Sequence, residues 1–547
     1  MPALYPRGSL RIYFIVGLAI AVLCMVSYHR SIISTIALSL GTLGKTTSSL
    51  FSTTAPFRMQ PAKKKPVIVV GSGFAGLSAA HEALKAGARV HMLERAAKPG
   101  GNSIKASSGI NGAGTRFQRS SGIAKDESFY DDTVRSAGNR LQAGPSGVDR
   151  TALIEALTSR SAAAVDWLVD DIGIDLSVVA ILGGHSVART HRGGSGPPPG
   201  AAIVSALLKQ LQEHPDYELT TSANVEALLS AGGAVTGVRC SAGEEQKTQR
   251  ELEGPVVFAA GGFAGDAHGL LAKYRPDLAG MPSTNEAKPA SHALLSDLRV
   301  EFLDMQDVQV HPTGFVDPKD RAAGYKFLAA EALRGEGGIL LQSATGERFV
   351  NEMERRDVVS AAITALPRSA DEPVRQWDVT LLLDPGACEA TASHLSFYLW
   401  KGLMQKKKVR ELPPAVIAAV DKYAAEVAAG RDAAFGRKSF GHWRLRPGEA
   451  NRDEEVCVGN VTPVVHFTMG GAAFDTHTRV LARKKGGDDA GGGGDALVPV
   501  PGLWAAGEVT GGIHGANRLG GSSLLECAVF GRIAGQEAAK SLAEPES

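Results

Sequence analysis

The stretch NEMERRDVVS (351–360) sets two arginines side by side among acidic neighbours. Glu352 and Arg356 stand at the i,i+4 spacing of an ordinary helix-surface ion pair, which is the plain reading of Arg356. Upstream, in AAEALRGEGG (329–338), Glu331 and Arg334 are three apart and would share one helix face. Histidines stand in VQVHPTGF (His311) and VVHFTMGG (His466), and a further arginine in GANRLGG (Arg518). A planar guanidinium pairs with a carboxylate through two hydrogen bonds, and an imidazole adds a directional donor. Side chains of these types could grip a small acid. Each also has a plainer reading, a satisfied buried histidine or a structural ion pair.

The elements that would position such residues begin at PVIVVGSGFAG (66–76), a β-branched strand running into Gly71-x-Gly73-x-x-Gly76. A helical pattern, LSAAHEALKAG, follows, then a second strand, RVHMLE, ending at Glu94. The glycines, with Ser72 among them, permit a tight turn and bring backbone N–H groups close to a pyrophosphate at a helix N-terminus. Glu94 is placed to bind ribose hydroxyls. Strand, glycine turn, helix, strand and acid in this order read as a dinucleotide-binding unit rather than a structural glycine turn. Two more apolar strands end in glycine, PVVFAAGGF (255–263) and GLWAAGEVTGG (502–512), and are assigned to the same unit. The chain would then leave that unit, build another and return. Loops are read at 193–200, 241–254 and 484–495, and no internal repeat is present.

A chain of 547 residues exceeds one hydrophobic core, so two or three domains are expected. A formal charge of +1 gives no case for nucleic acid, and attraction for an anion must be local. The five cysteines are scattered without a C-x-x-C pair, which argues against a built-in iron–sulfur cluster, c-type haem or disulfide framework. No metal site is expected. Ile12 to Tyr28 is nearly all apolar between basic flanks, and no acid precedes Glu82. Residues 1–63 therefore read as a signal peptide, a short membrane anchor or a mitochondrial presequence. Met59 could start a cytosolic form.

Taken with GGNSIKASSGINGA (100–113) and GANRLGGSSLLE (515–526), these motifs in this order resemble the fumarate reductase and succinate dehydrogenase flavoprotein superfamily. The likeness runs from about Lys64 to near the C-terminus, and is greatest to its soluble, single-subunit fumarate reductases of fungi. The resemblance implies that His311, His466 and Arg518 hold substrate carboxylates, that Arg356 protonates substrate carbon, and that Glu331 and Arg334 reprotonate it. Arg355 would be a surface neighbour. It implies FAD contacts at Gly71, Ser72, Gly73, Gly76, Glu94, Gly101, Asn102, Ser107, Gly109, Asn111, Glu508, Ser523 and Leu524. Membrane-bound relatives attach FAD covalently through a histidine in the 100–113 wrap. No histidine lies between His91 and His185, so FAD is expected to be non-covalent. Two departures stand out: STNEAKPASHALLSD (283–297) lacks the T-G-D-G stretch of many relatives, and Ala330 replaces a threonine that some relatives carry.

The expected fold is α/β: a Rossmann-type FAD domain (64–305 and 467–547) interrupted by an α+β capping domain (306–466). The expected reaction is reduction of fumarate to succinate, fed by reduced flavin (FMNH2 or FADH2) or another donor. Alternatives are a relative acting on another unsaturated or amino dicarboxylate, such as an aspartate oxidase, or a membrane-associated electron carrier without turnover. The N-terminal segment leaves mitochondrion, endoplasmic reticulum membrane and cytosol as expected locations.

Overall fold

Val67–Val70 is buried on both faces, as a β-branched run at the centre of a parallel sheet should be. In the computed structural model this strand lies between Val90–Leu93 and Val256–Phe258. The full order is Arg479–Arg483, Leu497–Ala505, Val256–Phe258, Val67–Val70, Val90–Leu93, Tyr217–Thr220. All neighbours are parallel except the edge pair formed by Arg479–Arg483 and Leu497–Ala505. Both glycine-terminated segments assigned to this sheet are in it. The structure describes residues 65–142, 147–243, 248–370, 373–484 and 496–543. Residues 1–63, expected to target or anchor the chain, and the low-complexity stretch 485–495 lie outside them. Among the described residues no helix is long and apolar enough to cross a membrane.

Glycine is required where the first strand turns into helix Phe74–Lys85. Gly71 has φ +103°, and a Cβ there would lie 2.3 Å from the Ala259 carbonyl oxygen. A Cβ on Gly76 would lie 2.0 Å from the Gly71 oxygen. At Gly73, by contrast, the nearest atom to an added Cβ is Ser103 Oγ at 3.6 Å, which leaves the helix N-terminus open to approach. Behind the sheet this helix packs on the long helix Ser522–Ser541. The two meet through small residues: a Cβ on Gly531 or Gly535 would press on Ala75 or Ala79 backbone oxygen at 2.5 and 2.1 Å.

A second sheet is built entirely from residues 308–468. Its order is Phe327–Leu328, Val308–Phe315, Glu455–Thr468, Val379–Leu383, Ile339–Gln342, and every pair is antiparallel. Leu333, Ile363, Trp377, Leu381 and Tyr398 form an apolar core against it. The stretch 241–254, read as a loop, differs in the structure. Thr248–Glu253 is the outer strand of a meander with Ala223–Ala231 and Ala234–Ala242. Its charged residues satisfy an exposed edge, so polarity there concealed a strand.

Gly535→Val should force the two packed helices apart. Overpacking of this kind costs about 1–3 kcal/mol, read as a lower midpoint in denaturant titration.

Candidate active site

Strands Val308–Phe315 and Glu455–Thr468 carry both singled-out histidines, and their register slips twice. Gln309 faces Phe467 while Val310 faces Val465, so His466 is the extra residue of a bulge. A second slip falls between His311 and Gly314. Pro312 and Pro463 have no N–H to give the ladder at this point. Bulges re-aim side chains, and here the two imidazole rings meet edge to face at 5.3 Å. His466 Nδ1 is 2.9 Å from the Thr284 hydroxyl. His311 is fully buried, with Nδ1 against the Thr313 backbone and Nε2 without a protein partner.

Arg356 opens helix Arg356–Thr364 and Glu331 opens the short helix Glu331–Gly335. Both are buried. Arg356 Nε donates to Glu331 Oε2 at 2.7 Å and Nη1 to Gln309 Oε1 at 2.8 Å. Arg518 Nη2 donates to the same Gln309 oxygen at 2.9 Å, and its guanidinium lies 4.3 Å over the Phe467 ring. The other Glu331 oxygen accepts the Gly183 N–H at 2.9 Å. Arg334 Nη1 donates to the Glu352 carbonyl at 2.6 Å, while its Nε and Nη2 have no protein partner; nor has Arg518 Nε.

The surface-pair reading of Glu352 and Arg356 is overturned. Glu352 precedes the helix and is buried between Arg348 at 2.8 Å and Arg437 at 3.1 Å. Arg355, half-buried, pairs with Asp357 at 2.9 Å. Gln309 was not read from the sequence. It could have been, because a strand aims residues 309 and 311 to the same side.

The electrostatics follow from burial without enough counter-charge. Burial lowers His311 well below 6.5, and Arg356, His466 and Arg334 push the same way. His466 is lowered by burial, Arg356 and Arg518. Burial alone would raise Glu331, but Arg356 and Arg334 outweigh it and hold the carboxyl at about 2. Burial, reinforced by Arg356, brings Arg334 to about 10 and Arg518 to about 9. The cluster is a cationic cradle with unspent donors, suited to a small acid carrying more than one carboxylate.

Of the residues expected around FAD, the glycine turn leaves room for a pyrophosphate at Gly73, while others are bonded within the protein. Besides the open Gly73, Glu94 takes the Ser72 N–H at 3.0 Å and the Ser72 hydroxyl at 2.5 Å, ending beside the glycine turn. Gly101, at φ +54°, lies against the Gly73 Cα. Asn102 bonds Asn285, which donates to the His466 carbonyl at 2.8 Å. Gly109, at φ +125°, lies against the His191 carbonyl, and the Ser107 carbonyl accepts from His394 at 2.5 Å. Asn111 is spent within the protein: it donates to the Gly520 carbonyl and Ser522 hydroxyl and accepts from Thr190. Glu508 accepts from Thr468 N at 3.0 Å, and burial raises its carboxyl to about 7. Ser523 and Leu524 start helix Ser522–Ser541. The segment lacking T-G-D-G forms a 3-10 helix, Ser291–Leu298, seated by buried His292 edge-on to Phe263. Ala330 brings no hydroxyl; its N–H donates to Tyr398 at 3.2 Å.

Residues 66–524 match the family described as FAD binding domain. The chain is 40% identical to Fumarate reductase 1 of Saccharomyces cerevisiae over 87% of this chain and 98% of that protein. It is 38% identical to Fumarate reductase of Schizosaccharomyces pombe, over 91% and 94% respectively. Its fold is similar to the open conformation of a flavocytochrome c3 fumarate reductase, with TM-score 0.66 and 29% identity over 88% of this chain and 79% of that one.

Because the native state holds His311 neutral while the unfolded chain binds a proton near 6.5, acid favours unfolding. His311→Gln removes that contribution. Between about pH 7 and pH 5 the variant should lose less unfolding free energy than wild type, measured by urea titration at each pH.

Proposed function

The chain belongs to the FAD binding domain family and is an FAD-dependent oxidoreductase, and on that premise we propose that it reduces fumarate to succinate. The observation that carries the reading is the meeting of Arg334, Arg356 and Arg518 with a single bonded carboxylate, Glu331, beside two neutral histidines. A dianion the size of fumarate would meet that surplus charge and the free donors of His311, Arg334 and Arg518. In this assignment the FAD-binding part is residues 64–305 and 467–547 and the capping part is 306–466. FAD is held non-covalently by the glycine turn, Glu94 and the 100–113 wrap.

When bound, reduced FAD would supply a hydride to one alkene carbon. His466 and Arg518 hold one carboxylate, and His311 polarises the other. Arg356 gives the proton to the second alkene carbon. A guanidinium is a weak acid, but hydride addition to one alkene carbon leaves the electron pair of the broken π bond on the other, which is strongly basic, so a weak acid suffices. Arg356 stabilises the charge that develops before it gives up the proton. Glu331, 2.7 Å from Arg356 Nε, accepts and returns protons, with Arg334 one turn away on the same short helix. Burial of all three residues keeps bulk water from competing for the proton. Electrons come from free reduced flavin or another donor.

Arg356→Ala should retain FAD and lose fumarate reduction by about 10²–10⁴-fold, measured as anaerobic oxidation of reduced FMN on adding fumarate. Activity near wild type would overturn the assignment. A preference for an amino acid or a different unsaturated acid in the same assay would move it to the alternative substrates.

A further inference from the structure

We propose that His185 is a positioning residue for the Glu331–Arg356 pair, acting through the carbonyl of Gly520. The role rests on the reaction proposed above. Gly520 lies two residues beyond Arg518, and its bare Cα faces the pair. A Cβ there would stand 3.1 Å from Glu331 Oε2 and 3.3 Å from Arg356 Nη2. Where Gly520 sits therefore limits where these two side chains can sit.

The Gly520 carbonyl has two lone pairs and two donors. Asn111 Nδ2 donates at 2.7 Å and His185 Nε2 lies at 2.9 Å. The direction of the second bond is set from the far side of the ring. Arg189 Nη1 lies 3.0 Å from His185 Nδ1, and a guanidinium can only donate. Nδ1 is therefore the acceptor, and the ring proton is on Nε2, aimed at Gly520. Burial and the Arg189 charge favour this neutral ring, bringing His185 to about 4. Arg189 is itself tethered. It is fully buried and held by Asp126 at 2.7 Å and Asp132 at 2.7 Å. Asp132 also takes the Ser186 N–H at 2.8 Å and the Ser186 hydroxyl at 2.6 Å, which anchors the turn that carries His185.

That turn reaches Glu331 a second time. Gly183 donates its N–H to Glu331 Oε1 at 2.9 Å. A Cβ on Gly183 would lie 2.7 Å from the Glu354 carbonyl, two residues before Arg356, and 3.0 Å from Glu331 Oε1. Residues 183–185 thus hold one oxygen of Glu331 through the Gly183 amide and, through His185, hold the Gly520 segment that faces the other. None of this requires His185 to touch substrate. Proton transfer tolerates little misplacement, so release of Gly520 should slow turnover while leaving binding in place.

His185→Phe keeps the ring shape and removes both nitrogens. It should retain FAD and the wild-type KM for fumarate, lose kcat on the order of 10²-fold, and show a larger solvent deuterium effect on kcat. His185→Gln, which can still donate to Gly520, should regain most of the rate. If His185→Phe does not fold, His185→Asn carries the same expectation, because its shorter amide takes the place of Nδ1, where its oxygen accepts from Arg189, and its nitrogen falls short of Gly520. A wild-type kcat and solvent isotope effect in the variant lacking the donor would overturn the role. So would a loss confined to KM, or one that His185→Gln does not restore. A wild-type enzyme inert to fumarate would overturn the reaction and this role with it. An active wild type with an unaffected variant would overturn the role alone.

Discussion

Arg334, Arg356 and Arg518 converge away from water, and among the described residues Glu331 is the one carboxylate hydrogen-bonded to any of them. At rest a guanidinium keeps its positive charge at ordinary pH, so such a group persists only inside a frame that holds it there. Removing one partner of a buried ion pair costs about 3–5 kcal/mol, because the other is left charged and uncompensated. The frame here is specific. Gln309 lends one oxygen to both Arg356 and Arg518, Phe467 presents its ring face to Arg518, and Gly183 fills the remaining side of Glu331. On the proposed assignment, the surplus charge and the donors left free on His311, Arg334 and Arg518 are what a dianion would meet.

The rest of the architecture brings distant segments to that point. Arg518 leads from the parallel sheet into the long helix, while His311 and His466 come from paired strands of the antiparallel sheet. Arg356 and Glu331 sit at the first positions of two helices. The bulge at His466 aims its imidazole at His311 instead of letting the strand pleat turn it away. Glycines are concentrated where these segments touch: Gly183 and Gly520 both abut Glu331, and no side chain would fit at either place without displacing it.

The two departures from the family pattern are absorbed differently. The segment at 283–297 keeps Thr284 and Asn285, and both remain tied to His466, through its ring and its carbonyl. Beyond them the chain forms a 3-10 helix plugged by His292 against Phe263, so apolar packing seats this segment. At Ala330 the backbone N–H meets the Tyr398 hydroxyl, which in turn donates to the Leu328 carbonyl at 3.1 Å. That tyrosine secures the helix start that carries Glu331 and offers no substitute for the missing threonine.

The dinucleotide unit was legible because its signals are local. Gly71, Gly73 and Gly76 follow a β-branched strand, and the two glycine-terminated strands could be assigned by their own composition. The arginines and histidines were recognisable by motif, since each motif holds its neighbours in a short run. Charge environment was not legible, because it depends on which residues meet across the chain. Glu352 stands four residues before Arg356, yet it binds Arg348 and Arg437 because no helix has begun at that point. Arg356 instead finds Glu331, twenty-five residues away, and Gln309, forty-seven away. His185 and Asn111 likewise acquire their meaning only when Gly520, hundreds of residues later, is folded between them. Local sequence determines strand, turn and helix through short-range sterics and hydrogen bonding. Burial and long-range pairing, which only the tertiary structure decides, determine what the charged groups can do.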